Sequence, residues 1–180
     1  DDYMLIKQIV KDIRDVSIED LSGIEAVIHL AALSNDPLGE LSPGLTEEIN
    51  LMGTLKIAEL AKQYGVTVIS DEIHAPLTFP GKEFVPFLAV SQNAAEVGIC
   101  VTSASKAFNI AGLKSAVIVS QSKEKHELLA KMPVSVHFRS SILGAFAAVE
   151  AFKKCDEWLD GALATIESNA HYLKTLLETQ

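Results

Sequence analysis

The sequence predicts an α/β fold: one three-layer domain over residues 1–180, with a mostly parallel sheet and helices on both of its faces. Short apolar runs alternate along the chain with segments of helical periodicity, which is the order of elements that builds a parallel sheet. With 48% hydrophobic residues in a chain of 180, there is enough apolar side chain to bury a core. No low-complexity tract or internal repeat indicates another architecture.

The first half of the chain contains three predicted strands and one long helix. Met4–Val10 is a short apolar run, and Ala26–Leu30 is a continuous apolar run typical of a buried parallel strand. A helix should begin at Ser42-Pro43, a cap followed by a first-turn proline, and end at Gly65. The third strand is Thr67–Ser70. The apolar positions of the helix recur at helical spacing: Leu45, Ile49, Met52, Leu55 and Ala58.

The second half alternates shorter strands with helices. A proline-punctuated loop covers residues 76–86, and a short helix is predicted at 89–96. Ser122 caps a helix that extends to about Lys131. Residues 140–179 should be helical, with a joint near Cys155. The two strands predicted in this half are Ile99–Thr102 and Ser115–Ser120.

Composition and charge exclude several classes of function. The net charge of −9 argues against a nucleic-acid partner, and no apolar run is long enough to span a bilayer, so no membrane partner is expected. No signal peptide opens the chain, and Cys100 has the apolar surroundings of a core thiol, so the sequence predicts a cytoplasmic protein. The two cysteines and five histidines show no metal-ligand spacing, so no metal site is predicted.

Two segments of the second half carry the clearest chemical signal. The run Ser70-Asp71-Glu72-Ile73-His74-Ala75-Pro76 and the run Thr102-Ser103-Ala104-Ser105-Lys106-Ala107-Phe108-Asn109 resemble the cofactor site of fold-type I pyridoxal-phosphate (PLP) enzymes. The resemblance is to the cystathionine β-lyase (MalY/PatB) type of the class I/II aminotransferases. It covers residues 67–180, and it implies that this part is similar to the large domain of such an enzyme.

The resemblance implies a role for each polar residue of the site. Lys106 would hold PLP as a Schiff base and act as the catalytic residue, while Asp71 would pair with the pyridine nitrogen and keep it protonated. A lysine suits this role because a desolvated amine near other positive groups loses its proton and becomes nucleophilic. The further implied contacts are His74 and Asn35 at the ring hydroxyl, and Ser103, Ser105 and Lys114 at the phosphate.

The predicted positions support this pairing, although other parts of the family's site are not found. Asp71 and Lys106 both follow the C-terminal ends of predicted strands, where open α/β sheets bind ligands. The family's early phosphate-binding turn and the arginine of its small domain have no counterpart in the sequence. Since the family's enzymes are dimers, the partner predicted is a second copy of the chain, bound through the corresponding surface.

The first 66 residues resemble a different family. The run from Ala26 to Gly39 is similar to the extended short-chain dehydrogenases, the NAD-dependent sugar epimerases and dehydratases. By that resemblance Asp12 corresponds to an adenine contact and Ala31-Ala32 to a pair that lines the cofactor. The glycine-rich phosphate turn and the Tyr-x-x-x-Lys pair of that family do not occur, so NAD binding is not expected.

Because the two resemblances meet near Gly65, we interpret the chain as a recombined or engineered chimera, fused into one domain from residues 1–66 and 67–180. Its site is then incomplete, so this interpretation predicts no catalytic function and no required cofactor. The alternatives are a PLP-binding fragment that catalyses β-elimination or transamination, and a remnant nucleotide-binding protein.

The chimera interpretation also predicts the topology of the sheet. It gives a five-stranded, Rossmann-like sheet in which the strand after Lys106 is antiparallel. In the predicted strand order, one strand lies between the strand that ends before Asp71 and the strand that leads to Lys106. Two strand spacings then set the two residues roughly 10 Å apart. The predicted order is Leu5–Ile9, Ser115–Ser120, Ile99–Thr102, Ala26–Leu30 and Thr67–Ser70.

Overall fold

The sheet has four strands within residues 9–30, 42–81 and 83–178, the part of the chain that the computed structural model describes. Its strands lie in the order β1-β2-β3-β4; the first three are parallel and β4 is antiparallel to β3. The α/β class and the antiparallel strand beside Ile99–Thr102 are therefore confirmed. The strands are β1 (Ala26–His29), β2 (Thr67–Asp71), β3 (Gly98–Thr102) and β4 (Val117–Val119).

The predicted strand order is wrong at its centre. We expected Ala26–Leu30 to lie between the other two parallel strands, but β2 occupies that place. Helical segments lie between β1 and β2 and between β2 and β3 along the chain, and consecutive elements are usually adjacent in space, which places β2 between β1 and β3. The side chains agree, because Val68 of β2 is fully buried whereas Ile28 of β1 is exposed. Of the expected fifth strand, residues 5–8 lie outside the described ranges, and Ile9 is not in a strand.

The crossover from β1 to β2 ends in a continuous helical segment. It comprises α1 (Pro43–Thr46), a π-helical turn at Glu47–Met52 and α2 (Gly53–Tyr64). Gly65 has φ 68°, a left-handed conformation that glycine adopts without strain, and its N–H bonds to the Ala61 carbonyl. The predicted end of this helix at Gly65 is therefore confirmed. Two short 3-10 turns, Ile13–Asp15 and Ile18–Leu21, precede β1.

The remaining helices lie between β2 and β3 and after β4. The single helix predicted at 89–96 is divided in two at Ser91, whose Oγ accepts a hydrogen bond from the Ala94 N–H at 3.1 Å and so starts a second helix. The predicted joint near Cys155 is confirmed, whereas α6 was not predicted. None of the described helices is long and apolar enough to cross a membrane. The helices are α3 (Phe87–Val90), α4 (Gln92–Val97), α5 (Lys123–Leu129), α6 (Val134–His137), α7 (Ile142–Lys154) and α8 (Asp156–Glu178).

Two buried clusters stabilise the described part of the chain. The larger joins β2 and β3 to helices α2, α3 and α4, and the smaller lies under the segment that follows β3. The smaller cluster consists of Ala104, Ala107, Phe108 and Ala151, so it ties the segment around Lys106 to α7. The expected single domain with helices on both faces of the sheet stays a prediction.

Candidate functional site

Asp71 and the segment that leads to Lys106 leave neighbouring strands at the same edge of the sheet. Asp71 ends β2 and pairs with Val101 of β3, whose last residue is Thr102. The Glu72 N–H continues this pairing by donating to the Val101 carbonyl at 2.8 Å. Because the strands are parallel, both segments emerge at C-terminal ends, where open α/β sheets bind ligands. The expected two strand spacings are therefore wrong: one spacing, about 5 Å, separates these strands.

Asp71 begins a tight turn that also carries His74. The Asp71 Oδ1 accepts a hydrogen bond from the Ile73 N–H at 3.1 Å, which is an Asx turn. The next bonds run from the Ala75 N–H to the Glu72 carbonyl at 3.0 Å and from the Leu77 N–H to the His74 carbonyl at 2.9 Å. Asp71 and His74 are both exposed. The turn thus presents a carboxylate and an imidazole to solvent at this edge.

The side chains of Ser103 and Ser105 are hydrogen-bonded to each other directly after β3. Ser103 is buried, and its Oγ donates to the Ser115 carbonyl at 2.6 Å while accepting from the Ser105 N–H at 3.0 Å. Since a serine hydroxyl carries one proton, the 2.6 Å contact between the two Oγ atoms must use the Ser105 proton. Ser103 therefore stabilises the turn and the segment that leads to β4. Ser105 is half-buried, and its hydroxyl can rotate toward a ligand.

Lys106 lies on a tight turn that is held by backbone hydrogen bonds and by buried neighbouring side chains. The Phe108 N–H donates to the Ala104 carbonyl at 3.0 Å, and the Ile110 N–H donates to the Ser105 carbonyl at 3.1 Å. Ala104, Ala107 and Phe108 are buried, whereas Lys106 is exposed. The desolvation that we expected at this amine is therefore not found. The backbone is held while the amine points to solvent.

Lys114 has a constrained backbone and an exposed side chain. It adopts a left-handed conformation with φ 50°, and its carbonyl accepts from the Ser141 N–H at 3.0 Å at the start of α7. Gly144 of α7 approaches this loop so closely that a Cβ there would lie 2.3 Å from the Leu113 carbonyl oxygen. The loop that leads to β4 is thus fixed against α7. Asn35 lies outside the described residues.

Sequence reasoning missed Glu72, whose side chain makes three hydrogen bonds at this edge. Its Oε1 accepts from the Phe87 N–H at 2.7 Å, from the Cys100 Sγ at 3.1 Å and from the Ser70 Oγ at 3.3 Å. Burial and the Glu72 carboxylate raise the pKa of the Cys100 thiol to about 12. The available signal was an acidic residue directly after a buried strand, where a charge needs partners.

Of the residues proposed as dinucleotide contacts, the structure describes Asp12, which has a structural partner. Asp12 accepts hydrogen bonds from the Arg14 side chain, from Nη2 at 2.8 Å, and this contact lowers the pKa of Asp12 to about 2. His29 Nε2 lies 2.9 Å from the Thr54 Oγ1, which donates its own proton to the Asn50 carbonyl, so His29 is the donor. Ala31 and Ala32 lie outside the described ranges.

No group of three histidine, cysteine, aspartate or glutamate side chains in the described ranges is arranged to hold a metal ion.

Comparison with known proteins identifies the family. The model of the family "Aminotransferase class I and II" matches residues 49–180, a range that includes Asp71, Lys106 and Lys114. The chain belongs to the class I and II aminotransferase family. The resemblance of the second half to this family is confirmed, and it extends further toward the start of the chain than residue 67.

The curated relatives that the chain matches include proteins named as cystathionine beta-lyases. The protein of Mycobacterium leprae (strain TN) named "Putative cystathionine beta-lyase" is 34% identical over 165 residues, which are 88% of this chain and 40% of that protein. Cystathionine beta-lyase PatB of Bacillus subtilis (strain 168) is 37% identical over 131 residues, 70% of this chain and 33% of its own length. The chain therefore spans well under half the length of the curated relatives that it matches.

A solved structure of a related enzyme has the same fold. The PLP-bound C-S lyase from Staphylococcus hominis superposes with a TM-score of 0.66 at 26% identity, over 90% of this chain and 39% of that one. The described strands and helices therefore have the fold of part of that PLP-bound enzyme.

The interpretation as a chimera without catalytic function is wrong. Lyase relatives align over 88% of the chain, so the alignment necessarily includes most of residues 1–66, which we had assigned to a dehydrogenase. The strand, helix, glycine and strand of this region are common to many α/β enzymes, which explains the misassignment. What the alignment supports is homology to PLP-dependent lyases along the chain, as the first alternative stated.

Proposed function

We propose that this chain provides the PLP-binding edge of a C–S lyase of the cystathionine β-lyase type, with β-elimination as its chemistry. The observation that carries the proposal is the exit of Asp71 and of the Lys106 turn from adjacent parallel strands at one edge of the sheet. Two relatives more than 30% identical bear the cystathionine β-lyase name, which supports a lyase. The proposal includes Lys106 as the catalytic residue.

The chemical groups at this edge suit the parts of PLP. The exposed Asp71 carboxylate would accept a charge-assisted hydrogen bond from the ring nitrogen, and the exposed Lys106 amine would attach to the aldehyde carbon. Ser105 would bind the phosphate by turning its hydroxyl proton from the Ser103 Oγ to a phosphate oxygen, and Lys114 would supply a point charge. Ser103, His74 and Asn35 complete the proposed set, with Ser103 acting through Ser105.

PLP would supply an electron sink for the electrons released at the substrate α-carbon. Asp71 would keep a proton on the ring nitrogen, which maintains the demand for those electrons. Lys106 Nζ would also be the group that accepts the proton from the substrate α-carbon. The Ile73 N–H that binds Asp71 Oδ1 holds the carboxylate in place, so this oxygen is oriented before any ligand binds.

The test is a visible absorbance titration of the purified protein with PLP, followed by borohydride reduction and peptide mapping. A saturable band whose label maps to Lys106 is expected, and Lys106→Ala should abolish it. The matched control is Lys123→Ala, because Lys123 is exposed on α5, away from the end of β3. Labelling spread evenly over surface lysines, or a Lys106→Ala protein that keeps the band, would contradict the proposal.

Transamination is the second candidate chemistry, because the matching family model is described as an aminotransferase model. The two reactions leave different products. Release of a thiol, ammonia and a keto acid from a thioether amino acid and water supports the lyase, whereas amino transfer that needs an added keto acid supports the alternative. Both assays should be run on the same PLP-loaded sample.

A second copy of the chain is the proposed partner. Three apolar side chains on α7, Ile142, Leu143 and Phe146, are exposed and would form part of the contact. Sedimentation velocity should show a dimer, and Phe146→Asp should shift it to the monomer. A monomer at all accessible concentrations would exclude this partner for the chain.

A further inference from the structure

The Glu72 carboxylate joins three separate parts of the fold at one oxygen. Glu72 Oε1 accepts hydrogen bonds from the Ser70 Oγ in β2, the Cys100 Sγ in β3 and the Phe87 N–H at the start of α3. The Glu72 backbone is also held, because its carbonyl accepts from the Thr102 Oγ1 at 3.4 Å. Glu72 is therefore fixed through both its side chain and its main chain.

The three donors depend on this carboxylate because they are withdrawn from water. Phe87, Cys100 and Ser70 are all buried, so a donor group there that lost its acceptor would have little access to a replacement water. Pro86, the residue before α3, forms no side-chain cap, so Glu72 takes the place of a cap for the first N–H of that helix. The raised pKa of Cys100 keeps its thiol protonated and able to donate.

We propose that Glu72 is a positioning residue that holds Asp71 at the edge between β2 and β3 in the orientation that binds the cofactor. Successive side chains of an extended segment point to opposite sides. The Glu72 carboxylate bonds to Ser70, Cys100 and the start of α3 on one face of the sheet, so Asp71 is directed to the opposite face, and the Ile73 N–H then holds its Oδ1. This inference rests on the proposed function for the role of Asp71, but the constraint on the turn can be measured without a ligand.

The test compares Glu72→Ala and Glu72→Gln with the parent and with Glu59→Ala. Gln keeps an oxygen that can accept the same bonds, and Glu59 is an exposed glutamate on α2 that controls for loss of charge. All samples are measured at a temperature where circular dichroism shows them fully folded. The first readout, without PLP, is amide hydrogen exchange at Ile73, Ala75 and Leu77. Exchange should be about tenfold faster in Glu72→Ala, the factor given by one lost buried hydrogen bond, and close to the parent in the other two variants.

The second readout is the PLP titration of the same proteins. Glu72→Ala should weaken binding by about tenfold, and the pH at which its visible band changes should shift, because Asp71 no longer holds the ring-nitrogen proton as firmly. Glu72→Gln should restore both values to near those of the parent. A purely structural role would lower the unfolding temperature of Glu72→Ala but leave the band of the folded protein unchanged.

The outcomes separate this inference from the proposed function. If folded Glu72→Ala exchanges and binds like the parent, the positioning role is wrong. If the parent binds no PLP at Lys106, the proposed function fails, and the exchange readout still decides whether Glu72 holds the turn. If Glu72→Ala does not fold, Cys100→Ala removes one of the three donors, and it should give a smaller change of the same sign in both readouts. No change in either readout of folded Cys100→Ala would then overturn the inference.

Discussion

The aromatic anchor beneath the Lys106 turn should contribute several kilocalories per mole to stability. Phe108 is 8% exposed; its ring meets Phe152 edge-to-face with centroids 5.5 Å apart and lies 6.1 Å from the Trp158 ring. Truncation of a buried phenylalanine to alanine costs about 3–5 kcal/mol. Phe152 and Trp158 are each about half exposed, so the gap left by Phe108→Ala opens toward solvent and can partly close. We therefore expect the lower end, about 3 kcal/mol.

Urea denaturation followed by far-UV circular dichroism measures this free energy of unfolding. The control is Phe138→Ala, because Phe138 is 81% exposed and its loss should change stability by less than about 0.5 kcal/mol. A double-mutant cycle of Phe108 with Phe152 should give a coupling of about 0.5–1.5 kcal/mol for the edge-to-face pair. Equal losses for Phe108→Ala and Phe138→Ala would refute the argument that the smaller cluster fixes the Lys106 turn.

Three further predictions concern the core around β3 and the histidine of β1. Gly98→Ala places a Cβ 2.5 Å from the Ala94 carbonyl oxygen, so it should lower the free energy of unfolding by about 1–3 kcal/mol or more, measured by denaturant titration. The pKa of Cys100 rises from 9.0 to about 12 on folding; the folded state then holds the proton more tightly, and stability should fall as pH rises from 9 toward 12, an effect absent in Cys100→Ala. Burial lowers the pKa of His29, so stability from the neutral imidazole should be lost as pH falls below 6.5, and His29→Gln should flatten that part of a pH-stability curve.

The local elements of this fold were predictable because each is set by neighbouring residues. Gly65 ends α2 through its left-handed backbone, and the joint near Cys155 separates two helices of separate apolar periodicity. The order of the strands was not predictable in the same way. It depends on which strand is buried on both sides, and the apolar runs of β1 and β2 look alike in sequence although Val68 is buried and Ile28 is not.

The candidate site shows the same division. Asp71 and Lys106 were proposed because the runs around them resemble the cofactor site of PLP enzymes, and their places after strands agree with a ligand site. The hydrogen bonds of Ser103 to Ser115 and of Glu72 to Phe87 and Cys100 were not predicted from the sequence, since each joins residues 12 to 28 positions apart. Nothing in a single sequence indicates such pairings before the strand order is known.

The correct strand order strengthens the case for a cofactor site rather than merely relocating it. If a third strand separated the strands that lead to Asp71 and Lys106, a ligand would have to extend across the end of that strand. Because β2 and β3 are adjacent, both segments leave the sheet side by side. The side chains that stabilise the fold there differ from those proposed to bind the ligand. Ala104, Phe108 and Glu72 hold the two turns from below, while Asp71 and Lys106 are exposed and contribute little to the core. A carboxylate and an amine presented on rigid turns are oriented before a ligand arrives, which is what a covalent cofactor site requires.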